Sequence, residues 1–302
     1  MENNCIFVNS RGLLKSCDLH SPNPKSSCNN DYEYLLNINN FSDGFSVYVC
    51  SDLLKFFIDN VLPKINKRFV LLSGDSDLTV PVESINQNQF LKLINSSYLI
   101  IWFTQNTNTQ NHNKIIQLPI GLDYHTISNN PYCSWKLPQE SSLPKDQESI
   151  LINIPKKPFY ERIQLIYVNF SLSSDKKNDR KLSLQKIPNH LLKINDKFTP
   201  RSINWKITTQ YTFVLSPFGN GMDCHRTWEA LCLGCIPIVR APNFTKMFEG
   251  LPVLIVKDWG DVSRELLNTT INDFKNRNFD YDKLKLDYWV NKINSYKQIT
   301  LF

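Results

Sequence analysis

The fold is decided by residues 211–239, which read YTFVLSPFGNGMDCHRTWEALCLGCIPIV. The stretch begins with an apolar run typical of a buried strand, passes through a loop with two glycines and continues with helical spacing. We expect Asp223 to cap the N-terminus of this helix and Gly234 to supply the left-handed residue that ends it. Pro237 cannot continue a helix, so it marks the next strand. The stretch therefore predicts a strand, a glycine loop, a helix and a second strand.

Glycine is scarce in the chain and clustered near this stretch. The sequence has 9 glycines among 302 residues, whereas an average protein of this length has about 21. Five of them fall between residues 219 and 260. Glycine serves where the backbone is unusual or where a ligand approaches it closely, so we look for a site there.

Composition places the chain among globular proteins. Hydrophobic residues make up 41 % of the chain and charged residues 21 %. A chain of 302 residues commonly forms two domains. The 34 basic and 28 acidic side chains give a net charge of +6 without long blocks of like charge, so we expect no nucleic acid partner. No apolar run is long enough to span a membrane and no signal-peptide pattern opens the sequence, which predicts a cytoplasmic protein. The oligomeric state is left open.

The cysteines predict neither a disulfide framework nor a metal site. We interpret the 8 cysteines as reduced, small core residues. Cys232 and Cys235 have the spacing of half a zinc site, but no second pair completes it. His225 and Glu229 are likewise two ligands without a third. We therefore expect no bound metal.

Strands and helices alternate on both sides of residues 128–158, a stretch rich in Pro, Ser, Lys and Gln that we interpret as a linker. We predict strands at 5–9, 46–49, 69–73, 98–103, 114–118, 164–170, 211–216, 236–239 and 253–256, and helices at 52–62, 179–186 and 282–296. This alternation predicts an α/β protein with two Rossmann-like domains, 1–150 and 151–302, and a cleft between them. The last helix is expected to pack back on the N-terminal domain.

The predicted helix after the glycine loop carries polar residues suited to a phosphorylated ligand. Because of their spacing, His225, Arg226 and Glu229 share one face. Arg226 could bind phosphate oxygens with two hydrogen bonds, Glu229 could accept hydrogen bonds from a ribose diol, and the loop 219–221 would let the phosphates approach. By spacing alone, an exposed ion pair between Arg226 and Glu229 beside a packed histidine fits equally well.

The stretch from Ser216 to Val239 resembles the donor-binding signature of exostosin-like glycosyltransferases, in which a P-x-G loop precedes an R-x-x-E-A-L helix and a G-C-I-P strand. The resemblance implies a GT-B-like fold with two facing Rossmann-like domains and sugar transfer from a nucleotide sugar, usually a UDP-sugar, without an essential metal. It also implies that Arg226 contacts the diphosphate and Glu229 the ribose. Outside residues 164–260 the resemblance is faint, and no N-terminal anchor of the kind many relatives carry is visible.

Further candidate residues lie after other predicted strands. Arg180 and Lys181 follow a polar loop and could neutralise a leaving diphosphate, although a solvated basic loop fits as well. In the first domain Asp123 and His125 are the leading candidates for the base that takes the acceptor proton, with Asp75 next. The donor-site prediction as a whole comprises Gly219, Asn220, Gly221, Asp223, His225, Arg226, Glu229, Arg180 and Lys181.

The sequence therefore predicts an inverting, metal-independent glycosyltransferase with a nucleotide-sugar donor, a glycan or glycoprotein acceptor and no other cofactor. Three alternatives stay open. A GDP-fucose-type fucosyltransferase has a similar strand, loop and Glu-bearing helix, and an inactive relative would bind nucleotide sugar or glycan without turnover. An NAD-dependent oxidoreductase fits less well, because the third glycine of a dinucleotide fingerprint is missing.

Overall fold

The computed structural model describes residues 2–109, 112–240 and 246–298. Its first sheet is parallel throughout and has four strands in the spatial order β1-β2-β3-β4. These strands are β1 (Phe45–Cys50), β2 (Phe69–Gly74), β3 (Leu99–Thr104) and β4 (Ile115–Gln117). Every residue of β2 is buried, as expected for a parallel strand that is covered on both faces.

The second sheet is also parallel and has the order β6-β5-β7-β8-β9. Its strands are β5 (Ile163–Val168), β6 (Leu192–Ile194), β7 (Tyr211–Leu215), β8 (Ile236–Arg240) and β9 (Leu254–Val256). This is a doubly wound order in which the direction of winding reverses between β5 and β7. In such sheets ligands bind at the carboxyl ends of the strands beside the reversal. The predicted α/β fold class with two Rossmann-like parallel sheets is confirmed.

Helices surround both sheets. The α-helices are α1 (Ser10–Lys15), α2 (Leu54–Phe56), α3 (Gln87–Ile94), α4 (His125–Asn129), α5 (Pro144–Asn153), α6 (Asp179–Lys186), α7 (Arg201–Thr208), α8 (His225–Cys232), α9 (Arg264–Lys275) and α10 (Leu286–Lys297). Short 3-10 segments flank many of them, and a π-helical segment, Phe57–Val61, continues α2. Among the described residues, no helix is both long enough and apolar enough to cross a bilayer.

One hydrophobic core is shared by the two halves of the chain. It joins Phe103 of the first sheet to Val214 of the second and includes Trp228 of α8 and Trp289 of α10. The last helix lies against the first sheet, and the ring of its Tyr296 meets Phe103 edge-on at 5.7 Å. The predicted domain boundary at residue 150 stays a prediction.

Two sequence-based predictions of local structure were wrong. Residues 5–9 form only isolated bridges, because Asn9 turns the chain into α1 by accepting a hydrogen bond from Gly12 N at 2.6 Å. The predicted linker 128–158 contains α5, whose buried face includes two polar residues and so lacks the apolar spacing of a helix. One of them, Glu148, accepts hydrogen bonds from the backbone of Ile6 and Phe7 at 2.9 Å.

Candidate active site

Two loops meet at the carboxyl ends of β5 and β7, where the winding of the second sheet reverses. The first, 169–178, leads from β5 to α6, and the second, 216–224, leads from β7 to α8. Ser216 fixes the second loop, since its hydroxyl lies 2.8 Å from that of Thr227 in the first turn of α8. This geometry places the starts of α6 and α8 side by side, where the sheet topology favours a ligand.

Helix α8 begins one residue later than the sequence predicts. Cys224, not Asp223, is the N-cap residue, and it makes no side-chain capping bond. The Asp223 carboxylate is drawn away because the buried indole Nε1 of Trp228 donates to it at 3.0 Å and Ile120 N donates to it at 2.8 Å. Burial without a neighbouring cation raises the pKa of Asp223 to about 7. Gly234, at φ +70°, is the left-handed residue after the helix, as predicted.

Two arginines contact one aromatic ring. The guanidinium carbons of Arg226 and Arg180 lie 5.1 and 5.6 Å from the centroid of Phe170. Arg226 Nη1 and Arg180 Nε are buried without a hydrogen-bond partner, and neither side chain is in an ion pair within the described ranges. Burial lowers the pKa of Arg226, and the charge of Arg180 lowers it further. Two adjacent cations with unused donors form a site for an anion of more than one charge.

The glycine loop is tightly packed against both halves of the chain. A Cβ at Gly219 would lie 2.5 Å from Arg180 Nη2, and one at Gly221 would lie 3.0 Å from Asn106 Nδ2. Neither glycine has a positive φ, so a side chain at either position would meet these neighbours rather than strain the backbone, and at residue 219 it would have to displace the Arg180 guanidinium. Asn220, between them, is partly exposed.

The buried side chain of Asp179 holds the glycine loop in place, and the sequence analysis did not identify it. Its side chain is fully buried and pairs with Arg240 at 2.6 Å. It also accepts hydrogen bonds from Trp259 Nε1 at 2.9 Å and from Phe218 N in the glycine loop at 3.0 Å. The one sequence signal was its place as the first residue of a predicted helix after a polar loop.

Asp123 and His125 face this site from the first half of the chain. His125 Nδ1 lies 3.2 Å from Asp123 Oδ1, and Arg201 Nη2 lies 2.9 Å from Asp123 Oδ2. Burial alone would raise the pKa of the Asp123 carboxyl, but the charge of Arg201, helped by the two neighbouring histidines, holds it well below its usual range. The ionised carboxylate of Asp123 thus lies beside Nδ1 of His125 and attracts a proton to that nitrogen.

The other ring nitrogen of His125 is positioned to accept a proton. Its Nε2 lies 3.5 Å from Ser26 Oγ, and that hydroxyl donates its proton to Asp75 at 2.8 Å. Ser26 therefore does not donate a hydrogen bond to His125 Nε2. The side chain of His125 is 15 % exposed, enough for contact with a substrate.

His225 approaches His125 from the other side of the cleft. Its Nδ1 donates to the Gly121 carbonyl at 2.7 Å, and the two imidazole rings are 6.2 Å apart. Burial lowers the pKa of His225, although the charge of Asp123 opposes this shift. The start of α8 is thus joined to the first half of the chain by hydrogen bonds from His225 and Asp223.

Arg201 links Glu229 of α8 to Asp123, and sequence reasoning did not find it. Its Nε is 3.9 Å from Glu229 Oε1, and its guanidinium lies between Trp135 and Trp205, 5.5 and 6.0 Å from their ring centroids. Burial raises the pKa of Glu229, and Arg201 counteracts that rise. Arg201 therefore connects the predicted donor helix with the predicted base.

The two remaining candidates lie apart from this group. Asp75 pairs with Arg11 at 3.0 Å in a contact whose side chains are 4 % and 3 % exposed, so it touches His125 only through Ser26. Lys181 is exposed, and its backbone N–H donates to Asp175 at 3.0 Å. The roles of all these residues stay predictions.

Comparison with known proteins yields weak structural similarities. No protein-family model matches the sequence, and no curated protein matches it significantly. Among solved structures, the chain is similar to one described as trehalose-6-phosphate from E. coli bound with UDP-2-fluoro glucose, with a TM-score of 0.42 and 12 % identity over 89 % of this chain and 79 % of that one. A second, the OtsA apo structure, gives 0.38 and 10 % over 89 % and 76 %. At these values the similarities say nothing about substrate or mechanism.

Proposed function

We propose that the chain is a glycosyltransferase that moves a sugar from a nucleotide sugar to a hydroxyl group of a glycan or glycoprotein. The observation that carries the proposal is the pair of guanidinium groups, Arg180 and Arg226, which lack carboxylate partners among the described residues and both contact the ring of Phe170. They lie where the winding of the second sheet reverses, the position at which such sheets bind nucleotides.

The donor's diphosphate fits this pair of arginines. A guanidinium group presents parallel N–H donors that match phosphate oxygens, and the start of α8 adds a partial positive charge. Glu229, in the second turn of α8, is the proposed partner of the ribose hydroxyls. The resemblance to exostosin-like transferases favours a UDP-sugar. Because two fixed cations neutralise the leaving diphosphate, the proposed reaction needs no metal ion.

The proposed base is His125, held in one tautomer by Asp123. Its Nε2 takes the proton of the acceptor hydroxyl while the hydroxyl oxygen forms a bond to the anomeric carbon. The bond from that carbon to the diphosphate breaks at the same time, and its electron pair leaves with the diphosphate towards Arg180 and Arg226. Since the base and the arginines come from opposite sides of the cleft, we propose inversion at the anomeric carbon.

Calorimetry with UDP, GDP and dTDP tests the donor site. We expect Arg226→Ala and Glu229→Ala each to weaken UDP binding by about 10- to 100-fold, because each removes a charge-assisted hydrogen bond of about 1.5–3 kcal/mol. Arg277→Ala is the matched control, since Arg277 also lies over an aromatic ring, at 5.6 Å from Phe279, but on an exposed surface. Unchanged UDP affinity in both site variants would refute the assignment of the donor site. Tighter binding of GDP than of UDP by the wild type would favour a GDP-sugar donor of the fucosyltransferase type.

Turnover of the donor tests the base. We expect His125→Gln to reduce sugar transfer by at least about 100-fold, since a general base contributes about 10²–10⁴. UDP affinity should stay at the wild-type value, because His125 is placed on the acceptor side. Release of UDP by the wild type in the presence of acceptors distinguishes an enzyme from an inactive binding protein. Equal turnover in the variant and the wild type would exclude His125 as the base.

A further inference from the structure

A cavity that shares no lining residue with the candidate active site lies along the edge strand β4. Its volume is about 460 Å³. One wall comes from the first half of the chain and includes His112 and Gln117, and the other comes from Lys246, Glu249, Lys283 and Lys292. We name this cavity the lysine pocket. A volume of this size accommodates a sugar-sized ligand.

The lysine pocket has an excess of positive charge. Three ammonium groups line it against the single carboxylate of Glu249, and none of the three forms an ion pair in the described part of the chain. Lys283 donates to the backbone carbonyl of Glu249, and Lys292 Nζ lies 5.4 Å from the ring centroid of Trp289. Burial lowers the pKa of Lys292, and the charge of Lys283 lowers it further. The two ammonium groups of Lys283 and Lys292 are therefore close enough for their charges to interact.

The lysine wall and the wall opposite suggest which ligand fits the pocket. Lysine ammonium groups act as compact point charges and are established binders of phosphate groups in proteins. On the other wall, His112 Nδ1 accepts a hydrogen bond from Lys114 N at 3.2 Å, so its Nε2 carries the proton and can donate to a hydroxyl. The pocket thus pairs an anion-binding wall with a polar one.

We propose that the lysine pocket binds a sugar that carries a phosphate ester, with the phosphate between Lys283 and Lys292 and the sugar hydroxyls towards His112. This site is independent of the proposed donor site, and none of its residues belongs to the machinery described above.

Isothermal titration calorimetry with glucose 6-phosphate, inorganic phosphate and glucose tests the proposal. We expect glucose 6-phosphate to bind more tightly than inorganic phosphate and glucose to give no measurable heat. The double variant Lys283→Met with Lys292→Met should bind glucose 6-phosphate at least about tenfold more weakly, because it loses charge-assisted hydrogen bonds while keeping the aliphatic stems. Glu249→Gln should bind it more tightly, since the opposing charge is removed. Lys92→Ala, at an exposed position of α3, is the matched control and should leave the affinity unchanged.

Arg226→Ala separates this site from the donor site. If that variant keeps the wild-type affinity for glucose 6-phosphate while the double lysine variant loses it, the lysine pocket is the binding site. The proposal is overturned if glucose 6-phosphate does not bind the wild type, if the double lysine variant binds it unchanged, or if only Arg226→Ala abolishes binding.

Discussion

Replacing Arg201 with methionine should make the stability of the protein depend on pH in a new way. Methionine has an unbranched apolar side chain that can pack against Trp135 and Trp205, the two rings that the Arg201 guanidinium contacts. The substitution removes the cation that pairs with Asp123 at 2.9 Å and lies 3.9 Å from Glu229. Both carboxylates then stay at a buried position with no positive charge from α7.

The size of the effect follows from burial. The side chains of Arg201 and Asp123 are 8 % and 5 % exposed, so solvent screens their attraction little. Removing one partner of a buried ion pair costs about 3–5 kcal/mol, because the other charge is left uncompensated. We expect the free energy of unfolding of Arg201→Met to fall by about this amount at pH 7.

The variation of this stability loss with pH distinguishes the loss of the ion pair from a general loss of packing. In the wild type the pKa of Asp123 is well below its unfolded value, so its stabilising contribution is complete above about pH 4 and is lost only in stronger acid. In the variant, loss of the Arg201 charge raises the pKa of Asp123 above its wild-type value in the folded state, so the penalty for the missing cation shrinks as the carboxyl takes up its proton in acid. The difference between variant and wild type should therefore be largest at pH 7 and shrink towards pH 4.

Urea unfolding followed by tryptophan fluorescence at pH 4 to 8 measures this difference. Arg68→Met is the control, because Arg68 pairs with Asp43 at 2.5 Å on the surface, where the two side chains are 29 % and 49 % exposed. We expect that control to change stability little at any pH. The double variant Arg201→Met with Asp123→Asn should recover part of the loss. A loss below about 1 kcal/mol at pH 7, or one that does not vary with pH, would refute the buried-pair reasoning.

Two further predictions concern the ends of α8. Gly234→Ala should lower the free energy of unfolding by about 1–2 kcal/mol, because residue 234 has a left-handed backbone conformation at φ +70°. Gly234→Asn should lower it less, because asparagine tolerates this conformation better than alanine does. Equal stability of the alanine variant and the wild type in urea unfolding would contradict this prediction. Burial raises the pKa of Asp223 to about 7, above its unfolded value, so its contribution to stability is greatest below about pH 4 and is lost as the pH rises through 7. The wild type should therefore lose stability relative to Asp223→Asn between these pH values in urea titrations, and parallel pH curves would show that Asp223 does not titrate there.

The sequence predicted those elements that have local signals. Helix α6, Asp179–Lys186, has the predicted bounds, and Gly234 ends α8 as the spacing requires. Both depend on residues that act on their own neighbourhood: a polar loop before a helix, and a glycine before a strand. Helix α5 was hidden because Glu148 and Gln147 are buried by hydrogen bonds, and no sequence pattern distinguishes a satisfied buried polar residue from an exposed one.

The candidate site was predictable in part for the same reason. Arg226 and Arg180 each follow a strand and a loop, and the structure brings them together over Phe170. The contact between Arg201 and Asp123 joins residues 78 positions apart, and the sequence around Arg201 contains no motif that would indicate it. Long-range pairs of this kind depend on how the two halves meet, which local patterning does not encode.

The hydrogen bonds between the start of α8 and the first half of the chain set conditions for chimeras in which this second half is joined to a different first half. On the first-half side, two of them use main-chain atoms, Ile120 N and Gly121 O, and the third uses the side chain of Asn106, which accepts from Asp223 N at 2.8 Å. A foreign first half could supply the main-chain groups with any sequence whose backbone follows the same path. Asn106 is the one identity that it would have to carry for all three bonds to form. At the start of α8, a chimera built on this second half is thus constrained by the backbone shape at 120–121 and by a single asparagine side chain.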